Sequence, residues 1–127
     1  MKTALVLGAG GFIGGHMVKR LKSEGYWVRG ADKKLHEHEY SHADDFQLAD
    51  LTLQSDVRNV IDQQFDEVYQ LAADMGGAGY INTNLYDADV MHNSATINLN
   101  VLHRCKQMSI KKVFFSSSAC VYNEELQ

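Results

Sequence analysis

Lys2-Thr3-Ala4-Leu5-Val6-Leu7-Gly8-Ala9-Gly10-Gly11-Phe12-Ile13-Gly14 opens the chain with a nearly continuous apolar run that breaks into glycines. A run of that length followed at once by glycine is the pattern of a strand buried on both faces. Beyond it, Phe12, Ile13, Met17, Val18 and Leu21 recur at helical spacing up to Ser23. Gly25 then stands where a helix C-terminus favours glycine. Strand, glycine turn and helix in succession give a glycine pattern chemical meaning. The G-x-G-x-x-G spacing fails by one residue, because Ile13 stands three after Gly10, whereas G-x-x-G-x-x-G on Gly8, Gly11 and Gly14 fits. Glycine there permits a tight turn, lets the backbone approach a pyrophosphate, and allows close helix–strand packing. The helix start, with Phe12 and Ile13, then offers N–H groups and a positive dipole end to phosphates. The rival reading is a turn that only packs.

Working outward, Tyr26 to Ala31 reads as a second strand ending at Asp32, and Lys33 to Asp45 is a polar loop with three histidines. Phe46 to Leu48 is a brief third strand, Val57 to Gln64 a helix, and Asp66 to Ala72 a fourth strand broken by Gly76, Gly77 and Gly79. Asp89 to Gln107 is long enough for a helix, although Asn93, Asn98 and Asn100 are poor interior helix formers. Lys111 to Ser116 is a fifth strand. Strands alternating with helices imply an α/β domain: a Rossmann-like, doubly wound parallel sheet with right-handed crossovers, strand order 3-2-1-4-5. No linker, repeat or low-complexity tract divides residues 1–127.

Composition narrows the function classes. The chain has 127 residues, enough for one buried core, with 45% hydrophobic and 22% charged side chains. No stretch approaches the roughly 18 apolar residues of a membrane span, and Met1-Lys2 leads directly into the first strand, so neither a membrane nor a signal-bearing secreted protein is expected. A net charge of −4 argues against nucleic acid as a partner. Two cysteines, Cys105 and Cys120, are too few for a disulfide framework and suit a reducing cytoplasm. His36, His38 and His42 lack cysteine partners, so no metal site is expected, and Cys105 reads as a small core residue.

The polar candidates all fall just past strand ends, where open parallel sheets bind ligands. Asp32 lies 18 residues after Gly14. A carboxylate there accepts hydrogen bonds from adenosine ribose hydroxyls and repels a 2′-phosphate, which favours NAD; the neighbouring Lys33 and Lys34 keep NADP open. Asp50 and Leu51, after the third strand, are placed to meet the adenine. For both aspartates the rival is a solvated loop residue.

Those residues, together with Leu71-Ala72-Ala73 and Ser116-Ser117-Ser118-Ala119-x-x-Tyr122, resemble the extended short-chain dehydrogenase/reductases, also known as the NAD-dependent epimerase/dehydratase family. Two stretches, Ala72-Ala73-Asp74-Met75-Gly76-Gly77-Ala78-Gly79-Tyr80-Ile81 and Ser117-Ser118-Ala119-Cys120-Val121-Tyr122, are most similar to the branch of that family that epimerises GDP-mannose at C3 and C5. The resemblance implies bound NAD, with Leu71, Ala72, Ala73 and Asn93 on the cofactor, and a GDP-mannose-like nucleotide sugar as substrate. It implies that Gly76 and Gly77 approach the sugar, that Ser118 hydrogen-bonds the hydroxyl being oxidised, and that Cys120 is one member of a base/acid pair. Oxidation at C4 acidifies the protons on C3 and C5, which is where a thiol tuned near its ordinary pKa of about 8.5 is useful.

There are departures. Asn123 stands where that branch usually has proline. The family's Tyr-x-x-x-Lys is expected roughly 25 residues beyond Ser118, and none of the six tyrosines has lysine four positions later. The expectation is therefore a truncated, NAD-binding N-terminal part without the substrate domain, inactive by itself, with Val113-Phe114-Phe115 as an apolar edge that favours homo-oligomers. The rivals are a fragment of a 4,6-dehydratase, 4-epimerase or reductase, where Cys120 discriminates, and a non-catalytic NAD-binding module.

Overall fold

The computed structural model describes residues 1–33, 41–72 and 87–115, with the backbone alone over 87–91. Five parallel strands carry the architecture: β1 (Thr3–Leu7), β2 (Trp27–Asp32), β3 (Asp45–Leu48), β4 (Glu67–Gln70) and β5 (Val113–Phe115), in the order β3-β2-β1-β4-β5. Helices α1 (Phe12–Ser23), α2 (Gln54–Val60) and α3 (Asp87–Gln107) connect them. The strand order and alternation match the expected Rossmann-like fold.

Central β1 is apolar from Ala4 to Leu7 because both its faces are covered. Thr3 to Leu7 lies opposite Trp27 to Ala31, and Ala4 to Leu7 lies opposite Glu67 to Gln70. Successive side chains point to opposite faces. Ala4 and Val6 therefore pack with Val28 and with Val18 and Leu21 of α1. Leu5 and Leu7 pack with Val68, with Val57 and Val60 of α2, and with Ile97, Val101 and Cys105 of α3. Cys105 is the core residue its helical position implies, and burial pushes its thiol up to about 11.

Helix α2 departs from expectation. It runs Gln54–Val60, not Val57 to Gln64. At its start, the Asp50 side chain accepts from the backbone N–H and the hydroxyl of Thr52, and Asp56 accepts from the Asp50 N–H at 2.8 Å. These bonds form a turn that launches the helix three residues early. At its end, Arg29 donates to the Val60 carbonyl at 3.0 Å and Arg104 to the Ile61 carbonyl at 2.8 Å. Acceptors that would have continued the helix are thus taken by tertiary donors, and Phe65 turns into the core. Arg29 is itself buried, bonding Asp45 and Asp62 at 2.7 Å each, with Trp27 and Phe65 beside its guanidinium.

Helix α3 starts at Asp87, two residues before Asp89, and closes through Ser109 at φ 56°. The Ile110 N–H reaches back to the Cys105 carbonyl at 3.0 Å, as in a Schellman cap. At the sheet edge, Phe114 stacks on Tyr69 with ring centroids 4.9 Å apart, and Phe114 and Phe115 stay 47% and 39% exposed.

Candidate functional site

The turn between β1 and α1 is built by glycine where nothing else fits. Gly8 has φ +85°, and a Cβ on it would meet the backbone of Leu71 and Ala72 at 2.7 to 2.9 Å. Its N–H donates to the Ala31 carbonyl at 2.7 Å, which seats the turn on the end of β2. A Cβ on Gly14 would lie 2.0 Å from the Gly8 carbonyl oxygen, so glycine there lets α1 rest directly on the turn. Gly11 is different: a Cβ on it would make only an ordinary 3.5 Å contact. It is the N-cap of α1, extended at φ −84° and ψ 174°, without a side-chain cap and without acidic residues in the first turn. Gly11 has no side chain with which to cap the first-turn N–H groups, an arrangement that suits an anion.

Asp32 is fastened to this turn. One carboxylate oxygen accepts from the Gly10 N–H at 2.8 Å, and the other accepts from the Lys33 N–H at 2.6 Å. An ionised carboxylate has about four acceptor positions, so two remain for a ligand. Asp32 also borders a cavity of about 190 Å³ over the carboxyl ends of the strands, lined as well by Gly8, Gly11, Lys33, Ala49, Leu51, Leu71, Ala72 and Ile97.

Seven of the residues singled out in the sequence therefore share one cavity: Gly8, Gly11, Asp32, Lys33, Leu51, Leu71 and Ala72. Gly14 lies beneath it as a packing residue. Asp50 stands behind Leu51 and shapes the loop; the Thr52 hydroxyl holds its carboxyl below the usual range, against the opposing effect of burial. Phe12 and Ile13 bring their backbones to the helix start, but their side chains are 77% and 64% exposed. The Phe12 ring meets His16 edge-on and borders a neighbouring cavity of about 250 Å³ with Lys19 and His42. Asn93 is on α3 but not on the cavity lining. Ala73, Gly76, Gly77, Ser118 and Cys120 lie outside the described residues. Sequence reasoning missed Ala49 and Ile97 as lining residues. Ala49 directly follows β3, a position that could have found it, whereas Ile97 is indistinguishable by spacing from the core residues of α3.

The chain matches the family described as NAD dependent epimerase/dehydratase over residues 4–127. It is 40% identical over 121 residues to GDP-mannose 3,5-epimerase 1 of Oryza sativa subsp. indica, covering 94% of this chain and 31% of that protein. It is 31% identical to GDP-L-fucose synthase 1 of Arabidopsis thaliana, covering 95% of this chain and 34% of that one. Among solved structures, a UDP-glucose 4-epimerase superposes with a TM-score of 0.82 at 28% identity, over 97% of this chain and 37% of the other. The chain thus spans about a third of the length of the curated relatives it matches. A family match over nearly all its residues, on a sheet of the same order and with the glycine turn in place, means that this chain belongs to the NAD dependent epimerase/dehydratase family.

Proposed function

We propose that the chain is the NAD-binding part of a nucleotide-sugar epimerase of the GDP-mannose 3,5-epimerase type, and that its cavity takes the adenosine half of the cofactor. The observation that carries this reading is Asp32, which lines the same cavity as Gly8 and Gly11 and whose carboxylate is tied to the turn through the Gly10 N–H. The residues present fit such a ligand. The uncapped N–H groups at the start of α1 would hold a pyrophosphate, Asp32 would accept from the ribose hydroxyls, and Leu51, Leu71, Ala72 and Ile97 offer apolar walls to the adenine. The negative charge of Asp32 opposes a 2′-phosphate, which supports NAD over NADP.

When bound, a nicotinamide cofactor supplies reversible removal of hydride from a sugar carbon. The chain's own part is to orient and to move protons. On the resemblance to the GDP-mannose branch, Ala73 and Asn93 complete the cofactor side and Gly76 and Gly77 approach the sugar. Ser118 hydrogen-bonds the C4 hydroxyl, and Cys120 exchanges a proton with a carbon flanking it. The 40% identity to GDP-mannose 3,5-epimerase 1, against 28% to a UDP-glucose 4-epimerase, supports this branch over a 4-epimerase. The parent enzyme is read as a cytoplasmic homo-oligomer. These 127 residues contain no Tyr-x-x-x-Lys, so the isolated chain binds cofactor without turnover.

Calorimetry with NAD⁺, NADP⁺ and GDP-mannose, beside an epimerisation assay, tests this. The expected result is saturable NAD⁺ binding, weaker NADP⁺ binding, little heat from GDP-mannose and no epimerisation. Absence of NAD⁺ binding overturns the cofactor reading, and epimerisation of GDP-mannose by the isolated chain overturns its inactivity.

A further inference from the structure

Asn98 and Asn100 are two residues apart inside α3, where asparagine disfavours a helix because its amide competes for backbone partners. Both side chains are engaged with the loops that wall the cavity. Asn100 donates from Nδ2 to the Leu51 carbonyl at 3.0 Å. The Oδ1 of Asn98 accepts from Nε2 of Gln70 at 2.9 Å. Gln70 is only 2% exposed, and its side-chain amide pairs with both backbone groups of Ala72. Nε2 donates to the Ala72 carbonyl at 2.7 Å, and the Ala72 N–H donates to Oε1 at 3.1 Å. The Gln70 amide thus holds Ala72 as a neighbouring strand would, two residues past the end of β4. At about 100° of rotation per residue, Ile97, which lines the cavity, lies on the helix surface between Asn98 and Asn100. One turn of α3 therefore grips the two loops, Leu51 on one side and Ala72 on the other, that flank its own contribution to the lining.

We propose that Asn98 and Asn100 are positioning residues: Asn98 through Gln70, and Asn100 directly, set the spacing of the walls between which the cofactor's base lies. This rests on the reading of the cavity as the NAD site. The two asparagines act with opposite polarity, Asn98 as acceptor and Asn100 as donor, so one substitution separates them. Aspartate at 98 keeps the acceptor that Gln70 needs. Aspartate at 100 loses the donor and turns a carboxylate toward the Leu51 carbonyl.

The test uses the 127-residue chain, wild type beside Asn98→Asp, Asn98→Leu and Asn100→Asp, at a temperature where circular dichroism shows each folded. Two quantities are read: NAD⁺ affinity by calorimetry and hydrogen exchange of the Ala72 amide by NMR. Asn98→Asp is expected to stay within about twofold of wild type in both. Asn98→Leu is expected to weaken NAD⁺ about tenfold and to speed Ala72 exchange about tenfold, the scale of one lost hydrogen bond. Asn100→Asp is expected to weaken NAD⁺ about tenfold with Ala72 exchange unchanged, and Asn100→Ala replaces it if the aspartate does not fold. If Asn98→Leu changes neither quantity, or Asn98→Asp loses as much as Asn98→Leu, the proposal is overturned. If wild type itself fails to bind NAD⁺, the cofactor reading falls and takes the positioning role with it. Ala72 exchange then still reports whether Asn98 holds the loop.

Discussion

Asp32 serves the glycine turn and the cavity at once, because each of its oxygens is held by a backbone N–H while the residue still lines the cavity. Asn at this position keeps the shape but presents an NH₂ where an acceptor is required. Asp32→Asn is therefore expected to weaken NAD⁺ about tenfold and to narrow the preference over NADP⁺, measured by calorimetry with both. The three glycines of the motif separate in the same way. A methyl group on Gly14 would sit 2.0 Å from the Gly8 carbonyl oxygen, so Gly14→Ala is expected to cost about 3 kcal/mol in a urea titration. Gly11→Ala meets only a 3.5 Å contact and is expected to fold normally while binding NAD⁺ less well, because the new methyl group stands at the start of α1. Spacing alone marks all three positions; only the contacts tell a packing glycine from a ligand-facing one.

Helix α1 was legible from local pattern because its partners are the strands on either side of it in sequence. Helix α2 was not, since its end is decided by Arg29 and Arg104, 31 and 43 residues from the carbonyls they take. The end of α3 was equally hidden, as Ser109 adopts a left-handed conformation that serine disfavours. Ser109→Gly is expected to raise stability by about 0.5–1 kcal/mol, read as a higher urea midpoint. At the opposite, amino end of the sheet, Glu67 of β4 accepts from the hydroxyls of Tyr26 and of Tyr69, the latter at 2.7 Å. Burial works to raise the Glu67 pKa, but the two hydroxyls together with the charges of Lys112 and Lys2 outweigh it and hold the carboxyl below the usual range. The Glu67 hydrogen bond is the main cause that lifts Tyr26 to about 12. The Glu67 contribution to stability is therefore present above the ordinary carboxyl pKa of about 4.3 and lost as pH falls through its lowered folded value. The Tyr26 contribution is present below about 10 and lost as pH rises through about 12. Urea midpoints against pH should show a plateau between these limits, and Tyr26→Phe should flatten the alkaline fall.

Across the whole molecule, the glycine turn and the loops after β2, β3 and β4 converge on one end of a five-stranded sheet, which is why strand-end positions read from sequence met in one cavity. What stayed illegible is long-range: Asn100 to Leu51 spans 49 residues, and nothing in the spacing of Ile97 separates lining from core. The described helices include none long and apolar enough to cross a membrane. The central claim is that NAD occupies the cavity between the glycine turn, Asp32 and α3. Amide shift mapping by NMR during an NAD⁺ titration tests it most directly. The account predicts saturable shifts concentrated at Gly8 to Gly14, Asp32, Leu51, Ala72 and Ile97. Shifts that are absent, or that gather at the opposite end around Lys2, Lys111 and Lys112, would contradict it.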